Sequence, residues 1–308
     1  MRRRRLLRAL AFTAVTLVVF GSAAAVVLAR KGKPHARARG GSATPSAART
    51  LSVACRSPSL GGIIPAQVYL PSGYASGRRY PVIYFLHGLP AGPSSYRQNA
   101  FVASALVSAG RKAIVVAPQG ARNAGSDREY LDWDATEDWP QAISQDLTSC
   151  IDARFHTIDG RDGRALVGLS AGGYGAMNIG LRNLRQFGAV QSWSGYFVAT
   201  NPAGTKVLQL GSPQANAAAK VPRGTTLKAA LRSQPTQIAF YVGRQDSRFL
   251  VMNRQYDASL SDTGIAHIFH TYPGGHSPTL WRSQAPTWLA WALDYLAAQR
   301  ARASHTAR

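Results

Sequence analysis

The sequence is poor in acidic residues and nearly devoid of cysteine. Its 308 residues include 14 Asp and Glu against 36 Lys and Arg, so the formal net charge is +22. The only cysteines are Cys55 and Cys150, which excludes a disulfide-rich scaffold and a cysteine-ligated metal centre. A hydrophobic content of 45% still supplies enough apolar side chains for one large folded core. No nucleic-acid-binding motif accompanies the basic charge, so we expect no nucleic acid partner.

About half of the excess positive charge lies in the first 49 residues, which hold eleven Lys or Arg and no acid. Residues 9–29 among them form a run of 21 uncharged residues. A helix of that length crosses a bilayer core of roughly 30 Å. Residues 1–30 are therefore either a signal peptide, cleaved after the small residues 22–25, or an uncleaved membrane anchor. Both alternatives place the rest of the chain outside the cytoplasm, secreted or anchored.

The remaining chain divides by composition into a linker, a folded domain and a tail. Residues 31–49 are rich in Gly, Pro, Ser and Arg and predict a flexible basic linker. A folded domain is expected over residues 50–300, followed by a basic tail at 301–308. Export would allow Cys55 and Cys150 to form a disulfide, and two buried free thiols are the alternative.

Apolar strands alternate with helices along the folded domain, which predicts an α/β protein with a mostly parallel sheet and helices on both faces. Residues 199–235 have little pattern and predict an irregular insertion. The predicted strands are 51–55, 64–70, 81–86, 113–117, 165–169, 189–193, 237–242 and 265–272, and the predicted helices are 97–109, 136–155, 171–183, 249–261 and 279–302.

One short motif indicates chemistry. Residues 168–172 read GLSAG, with Ser170 between a predicted strand and a predicted helix. A serine on so sharp a turn needs neighbours without side chains, and glycines two residues before and after it meet that need. The hydroxyl then stands exposed above the sheet at a helix N-terminus, where developing negative charge is favoured. We predict that Ser170 is a nucleophile.

A nucleophilic serine needs a base and an acid that orients the base. His276 lies in a glycine-rich loop after the last strand, where a side chain can reach over the sheet edge. Asp246 directly follows a buried strand, and it lies between the serine and the histidine in chain order, as this motif requires. Asp257 and Asp262 fall in or after the next helix, where charged residues usually face solvent. We predict His276 as the base and Asp246 as the acid.

The negative charge that forms during ester cleavage needs two backbone N–H donors. One is predicted from Ala171, the residue after the nucleophile. The other is predicted from Leu89, in the loop after an early strand, because the next residue is proline and has no N–H. Gly88 lets this loop approach the substrate. His87 is expected to hold the loop in place.

Four motifs, LHGLPAG (86–92), GLSAGGYGAM (168–177), YVGRQD (241–246) and YPGGHSPTLW (272–281), together resemble the putative-esterase branch of the α/β-hydrolases. That branch includes feruloyl and acetyl-xylan esterases, esterase D-like enzymes and secreted mycolyltransferases. The resemblance spans about residues 60–298. It implies an α/β-hydrolase fold, a Ser-Asp/Glu-His triad and no metal or cofactor. Ala171 and Asp246 depart from the mycolyltransferases, which are expected to have a bulkier residue and a glutamate there.

The sequence thus favours an exported serine esterase acting on a small-molecule, carbohydrate or lipid ester. The alternatives are an acyltransferase that moves an acyl chain onto a sugar hydroxyl and a catalytically inactive binding module. Trp133 and Trp193 are predicted to contact substrate, and Trp139 is a third candidate. For each of these tryptophans, packing in the core or at its rim is the alternative.

Overall fold

A computed structural model describes residues 48–120, 129–201 and 204–306 of the chain. They form eight strands and eight α-helices, joined by a π-helical segment and short 3₁₀ turns. The strands are β1 (Arg49–Ser57), β2 (Gly62–Leu70), β3 (Val82–Leu86), β4 (Ile114–Pro118), β5 (Arg164–Leu169), β6 (Ala189–Trp193), β7 (Gln237–Gly243) and β8 (Ile268–Tyr272). The helices are α1 (Ala100–Ser108), α2 (Trp139–Gln141), α3 (Thr148–Arg154), α4 (Ala171–Arg182), α5 (Pro213–Ala218), α6 (Gly224–Ser233), α7 (Leu250–Asp262) and α8 (Pro278–Thr306), with the π-helical turn at Ala142–Leu147.

The eight strands form one sheet in the order β1-β2-β4-β3-β5-β6-β7-β8. The pairs β1–β2 and β2–β4 are antiparallel, and every later pair is parallel. Leu86 pairs with Gly168, and Leu169 pairs with Trp193, so β3, β5 and β6 end side by side. The loops that leave these strands therefore meet at one edge, which is where an open parallel sheet binds ligands.

Helices cover both faces of the sheet, and the strands show why. Along β3, Tyr84 and Leu86 pack in the core under α4 and α7, whereas Ile83 and Phe85 pack against α1 and α8. Neighbouring residues of a strand point to opposite faces, so a strand buried on both faces reads as a continuous apolar run. The predicted α/β fold with a mostly parallel sheet is confirmed.

Cys55 of β1 and Cys150 of α3 form a disulfide, so the alternative of two buried free thiols is wrong. The targeting segment at residues 1–30 and the linker up to residue 47 lie outside the described residues. Among the residues that the structure does describe, none of the helices is both long and apolar enough for a membrane span.

Three segments differ from the sequence prediction. Residues 199–235 contain two helices, α5 and α6, instead of an irregular insertion. The Ser212 side chain caps α5 by accepting the Ala215 N–H, and hydrophobic periodicity does not detect such a capping residue before a short helix. Helix α8 continues through the predicted tail to Thr306, since the tail has no Gly or Pro to end it. The helix predicted from residue 136 begins at Trp139 and includes a π-helical turn.

Candidate active site

The turn between β5 and α4 holds Ser170 in a backbone conformation that L-residues rarely adopt, with φ 54° and ψ −121°. The flanking glycines make this turn possible. A Cβ on Gly168 would lie 2.1 Å from the Gly172 carbonyl oxygen, and one on Gly172 would lie 2.1 Å from the Leu86 carbonyl oxygen. Both neighbours are main-chain atoms that cannot move aside, so the packing requires glycine at each position.

Ser170, His276 and Asp246 form a continuous chain of hydrogen bonds. The Ser170 Oγ lies 2.9 Å from His276 Nε2, and His276 Nδ1 lies 2.8 Å from Asp246 Oδ2. The other carboxylate oxygen, Asp246 Oδ1, accepts the N–H groups of Arg248 at 3.2 Å and Phe249 at 3.3 Å. Asp246 is only 2% exposed, so these contacts fix the carboxylate in one orientation.

This arrangement sets the tautomer of the His276 ring. The Asp246 carboxylate has no hydrogen to donate and can only accept a hydrogen bond from His276 Nδ1. The proton of a neutral His276 ring therefore resides on Nδ1. Nε2 then faces the Ser170 hydroxyl with a free lone pair. That is the tautomer a general base needs.

Two aromatic rings stand edge-on to the imidazole of His276. The Phe249 ring centre is 5.3 Å away and that of Trp281 is 5.0 Å away. The Trp281 indole N–H donates to Ser194 Oγ at 3.0 Å, which fixes the indole. Trp281 was not predicted as a site residue, although it lies five positions after His276 in the last of the four motifs.

The loop after β3 approaches Ser170 closely. A Cβ on Gly88 would lie 3.1 Å from the Ser170 Cβ, a contact tighter than most side chains tolerate. Gly88 and Leu89 both line the cleft into which Ser170 opens. Ala171 is the first residue of α4, and an N–H at that position has no acceptor within its own helix. The two residues predicted as oxyanion donors, Leu89 and Ala171, thus border Ser170 from two sides.

His87 anchors this loop through both ring nitrogens. The Gly120 N–H donates to His87 Nε2 at 2.8 Å, and His87 Nδ1 lies 2.9 Å from the Gly88 carbonyl oxygen. Nε2 is thus an acceptor and Nδ1 carries the proton, so the ring is neutral. Burial lowers the pKa of His87, which keeps it neutral. The Tyr130 hydroxyl also donates to the His87 carbonyl oxygen. These contacts fit the expected positioning role.

A cleft of about 450 Å³ opens over Ser170. In the part of the chain that the structure describes, no three His, Cys, Asp or Glu side chains are grouped so as to hold a metal ion. Of the described residues that line the cleft, two are arginines and none is acidic; they are His87, Gly88, Leu89, Pro90, Ser95, Gln98, Asn99, Phe101, Leu169, Ser170, Arg248, His276, Pro278, Trp281 and Arg282.

The predicted substrate contacts of the tryptophans need correction. Trp193 is fully buried between the sheet and the α1/α8 layer, and its indole donates to Gln191, so its prediction as a substrate-binding residue is wrong. Trp133 lies outside the cleft and donates its indole N–H to the Glu129 carbonyl oxygen. Trp139 is likewise a core residue, 2% exposed. Trp193 and Trp139 are thus packing residues, and the substrate contact of Trp133 stays a prediction.

Comparison with known proteins identifies the family to which this sequence is similar. The "Putative esterase" family profile matches residues 57–292. Esterase Rv1288 of Mycobacterium tuberculosis is 27% identical over 235 residues, which cover 68% of this chain and 51% of that protein. The MPT51/MPB51 antigen of Mycobacterium bovis is 29% identical over 160 residues, or 51% of this chain and 49% of that protein. The chain thus spans about half the length of these curated relatives.

Solved structures support the same fold. A ferulic acid esterase superposes with a TM-score of 0.68 at 22% identity, over 80% of this chain and 98% of that one. An S-formylglutathione hydrolase (FrmB) from Staphylococcus aureus gives a TM-score of 0.62 at 20% identity, over 80% of this chain and 100% of the other. Both likenesses show a shared α/β-hydrolase fold. Since the family profile covers most of the sequence, this chain belongs to the putative esterase family.

Proposed function

We propose that the protein is an exported serine esterase that hydrolyses carboxylic esters through an acyl-enzyme intermediate. The observation that carries the proposal is the hydrogen-bonded series from Ser170 through His276 to Asp246, opening on a cleft. A catalytically inactive binding module would have no need for a strained serine aligned on a base.

Acylation begins when the Ser170 Oγ attacks the ester carbonyl carbon while His276 Nε2 takes the hydroxyl proton. Asp246 stabilises the imidazolium that forms and holds its orientation. The N–H groups of Leu89 and Ala171 bind the oxyanion of the tetrahedral intermediate. As the intermediate collapses, His276 returns the proton to the leaving alcohol oxygen, and the acyl group stays on Ser170.

Deacylation repeats these steps with water as the nucleophile. His276 takes a proton from water, the hydroxide adds to the acyl carbon, and the same two N–H donors bind the second oxyanion. The Ser170 oxygen leaves with the proton from His276, and the carboxylic acid departs. Every proton moves through one imidazole, so the cycle needs only the residues of this site.

Export is supported by two features of the chain. Residues 1–30 combine a basic start with the 21-residue uncharged run typical of a signal peptide or anchor. The Cys55–Cys150 disulfide is of a kind that persists in oxidising compartments and is rare in the cytosol. The proposed location is therefore outside the cytoplasm, secreted or anchored.

Ester turnover by the purified full-length protein tests the proposal. With para-nitrophenyl acetate, Ser170→Ala should lower kcat by about 10⁶-fold, because the triad acts as a unit. Ser261→Ala is the matched control, since Ser261 is an exposed serine on α7 away from the cleft, and it should retain wild-type turnover. Full activity in Ser170→Ala would refute the proposal.

Adding a polyol acceptor separates hydrolysis from acyl transfer. A hydrolase releases free acid at the same rate with or without the polyol. An acyltransferase instead forms a new ester at the expense of the acid, which chromatography of the products measures directly. We expect free acid, since Ala171 and Asp246 are where this sequence departs from the mycolyltransferases.

A further inference from the structure

The turn that follows β6 has an unusual main-chain conformation. Among the described residues other than glycine, Ser170 and Ser194 alone have a positive φ, and the φ of Ser194 is 50°. This conformation is strained for a residue with a Cβ, whereas glycine adopts it freely. Glycine would therefore fit the turn better, so the presence of serine points to a role for its hydroxyl group.

That hydroxyl binds the tryptophan that packs against the proposed base. The Trp281 indole N–H donates to the Ser194 Oγ at 3.0 Å. The ring centres of Trp281 and His276 are 5.0 Å apart, and the two rings are nearly perpendicular, with an interplanar angle of 89°. An indole has a single N–H donor, so a buried acceptor for it fixes the orientation of the ring. Ser194 thus fixes a surface against which the His276 imidazole packs.

The same turn, residues 193–195, is bonded to two other elements of the site. The Ser170 N–H donates to the Trp193 carbonyl oxygen at 2.9 Å. Asn253 is a fully buried residue in the first turn of α7, and its Nδ2 donates to the Gly195 carbonyl oxygen at 2.8 Å. The turn therefore has a fixed position relative to the main chain of Ser170 and to the start of α7.

Ser194 does not contact the cleft itself. It is 0% exposed and is not one of the described residues that line the cleft, whereas Trp281 and His276 both line it. Substitution of Ser194 therefore leaves the residues that substrate meets unchanged. Any effect on turnover has to act through the side chains that Ser194 holds.

We propose that Ser194 is a positioning residue, which fixes the Trp281 indole and thereby holds His276 in the orientation that acts as base. This inference rests on the proposed esterase function and adds to it a residue that keeps the base aligned. Ser194 itself transfers no proton and contacts no substrate. His276 moves protons in both acylation and deacylation, so poorer alignment should slow both steps by the same factor.

Two substitutions in the full-length protein separate the hydroxyl from the strain. Ser194→Gly removes both, whereas Ser194→Ala removes the hydroxyl alone. We expect each to lower kcat for para-nitrophenyl acetate about fivefold, the effect of one neutral hydrogen bond, and to leave KM unchanged. The unfolding midpoint in urea should be higher for Ser194→Gly than for Ser194→Ala, so that equal losses of turnover do not follow stability.

A double-mutant cycle tests whether Ser194 acts through Trp281. Trp281→Phe breaks the same hydrogen bond and retains a ring beside the base, so the double variant Ser194→Gly/Trp281→Phe should lose no more turnover than Trp281→Phe alone. Tyr272→Phe is the matched control. The Tyr272 hydroxyl accepts the indole N–H of Trp288, another tryptophan of α8, at 3.1 Å, and neither residue lines the cleft. Its kcat should equal the wild-type value.

The outcomes separate this inference from the proposed function. Wild-type kcat in both Ser194 variants, whatever their KM, would overturn the positioning role and leave the esterase function standing. Losses that multiply to about 25-fold in the double variant would also overturn it, because the two residues would then act independently. An equal loss in Tyr272→Phe would assign the effect to the packing of α8 as a whole and would overturn it too. If the wild-type protein hydrolyses no ester above the Ser170→Ala background, the proposed function fails and the positioning role fails with it.

Discussion

Replacing Asp246 with asparagine should reverse the tautomer of His276. One carboxylate oxygen of Asp246 accepts two main-chain N–H groups, from Arg248 and Phe249, and the other faces His276 Nδ1 at 2.8 Å. In Asp246→Asn the amide oxygen must stay on the main-chain donors, so the amide NH₂ turns toward His276. Nδ1 then has to accept, its proton moves to Nε2, and Nε2 faces Ser170 with a hydrogen instead of a lone pair.

The loss of the base tautomer should lower kcat for para-nitrophenyl acetate by about 10⁴-fold, as in other serine hydrolases altered at this position. The substitution is nearly isosteric, so the unfolding midpoint in urea serves to show that the fold is retained. Asp262→Asn is the matched control, because Asp262 is an exposed carboxylate at the end of α7, and it should keep turnover within a few-fold. Near-normal turnover in Asp246→Asn, with loss in Asp262→Asn or Asp257→Asn, would refute the assignment of the acid.

Three further predictions concern packing, cross-linking and the base. Gly172→Ala places a Cβ 2.1 Å from a main-chain carbonyl oxygen of β3, so urea unfolding should show a loss of stability of about 3 kcal/mol or more. Gly77→Ala is the control, because no atom lies within 4 Å of its added Cβ, and it should leave the unfolding free energy unchanged. Removing the Cys55–Cys150 cross-link by reduction should lower the unfolding free energy by about 4–5 kcal/mol, because it closes a loop with a sequence separation of 95, and an unchanged midpoint with dithiothreitol would contradict this. Trp281→Phe removes the indole hydrogen bond and retains an aromatic ring beside the base, so kcat/KM should fall about fivefold, and Trp281→Ala should cost more.

Much of the fold was predictable because both faces of the sheet are buried. The apolar run at residues 81–86 indicates a strand that is covered on both faces, and β3 (Val82–Leu86) is buried along its whole length. The three predicted triad residues lie in loops or turns that follow strands of the sheet. Parallel strands end at a common edge, so Ser170, Asp246 and His276 were expected to meet there, and the structure brings them into hydrogen-bond contact.

The errors arose where local patterns do not determine the packing. Trp193 ends a strand near the nucleophile, which suggested contact with substrate, but a strand covered on both faces buries its side chains on either side. Arg248, Trp281 and Arg282 reach the cleft only because the β7–α7 loop and α8 pack over the sheet edge. No motif spacing encodes that packing, so the sequence alone does not identify these three residues as lining the cleft.

Labelling with a fluorophosphonate probe tests the central claim most directly, because the probe reacts with a serine hydroxyl only when a base activates it. The full-length wild-type protein should take up one equivalent of probe, and mass spectrometry of the digested protein should locate it on Ser170. Ser170→Ala should remain unlabelled, and His276→Ala should be labelled far more slowly. Equal labelling of Ser170→Ala, or a label mapped to another residue, would contradict the account.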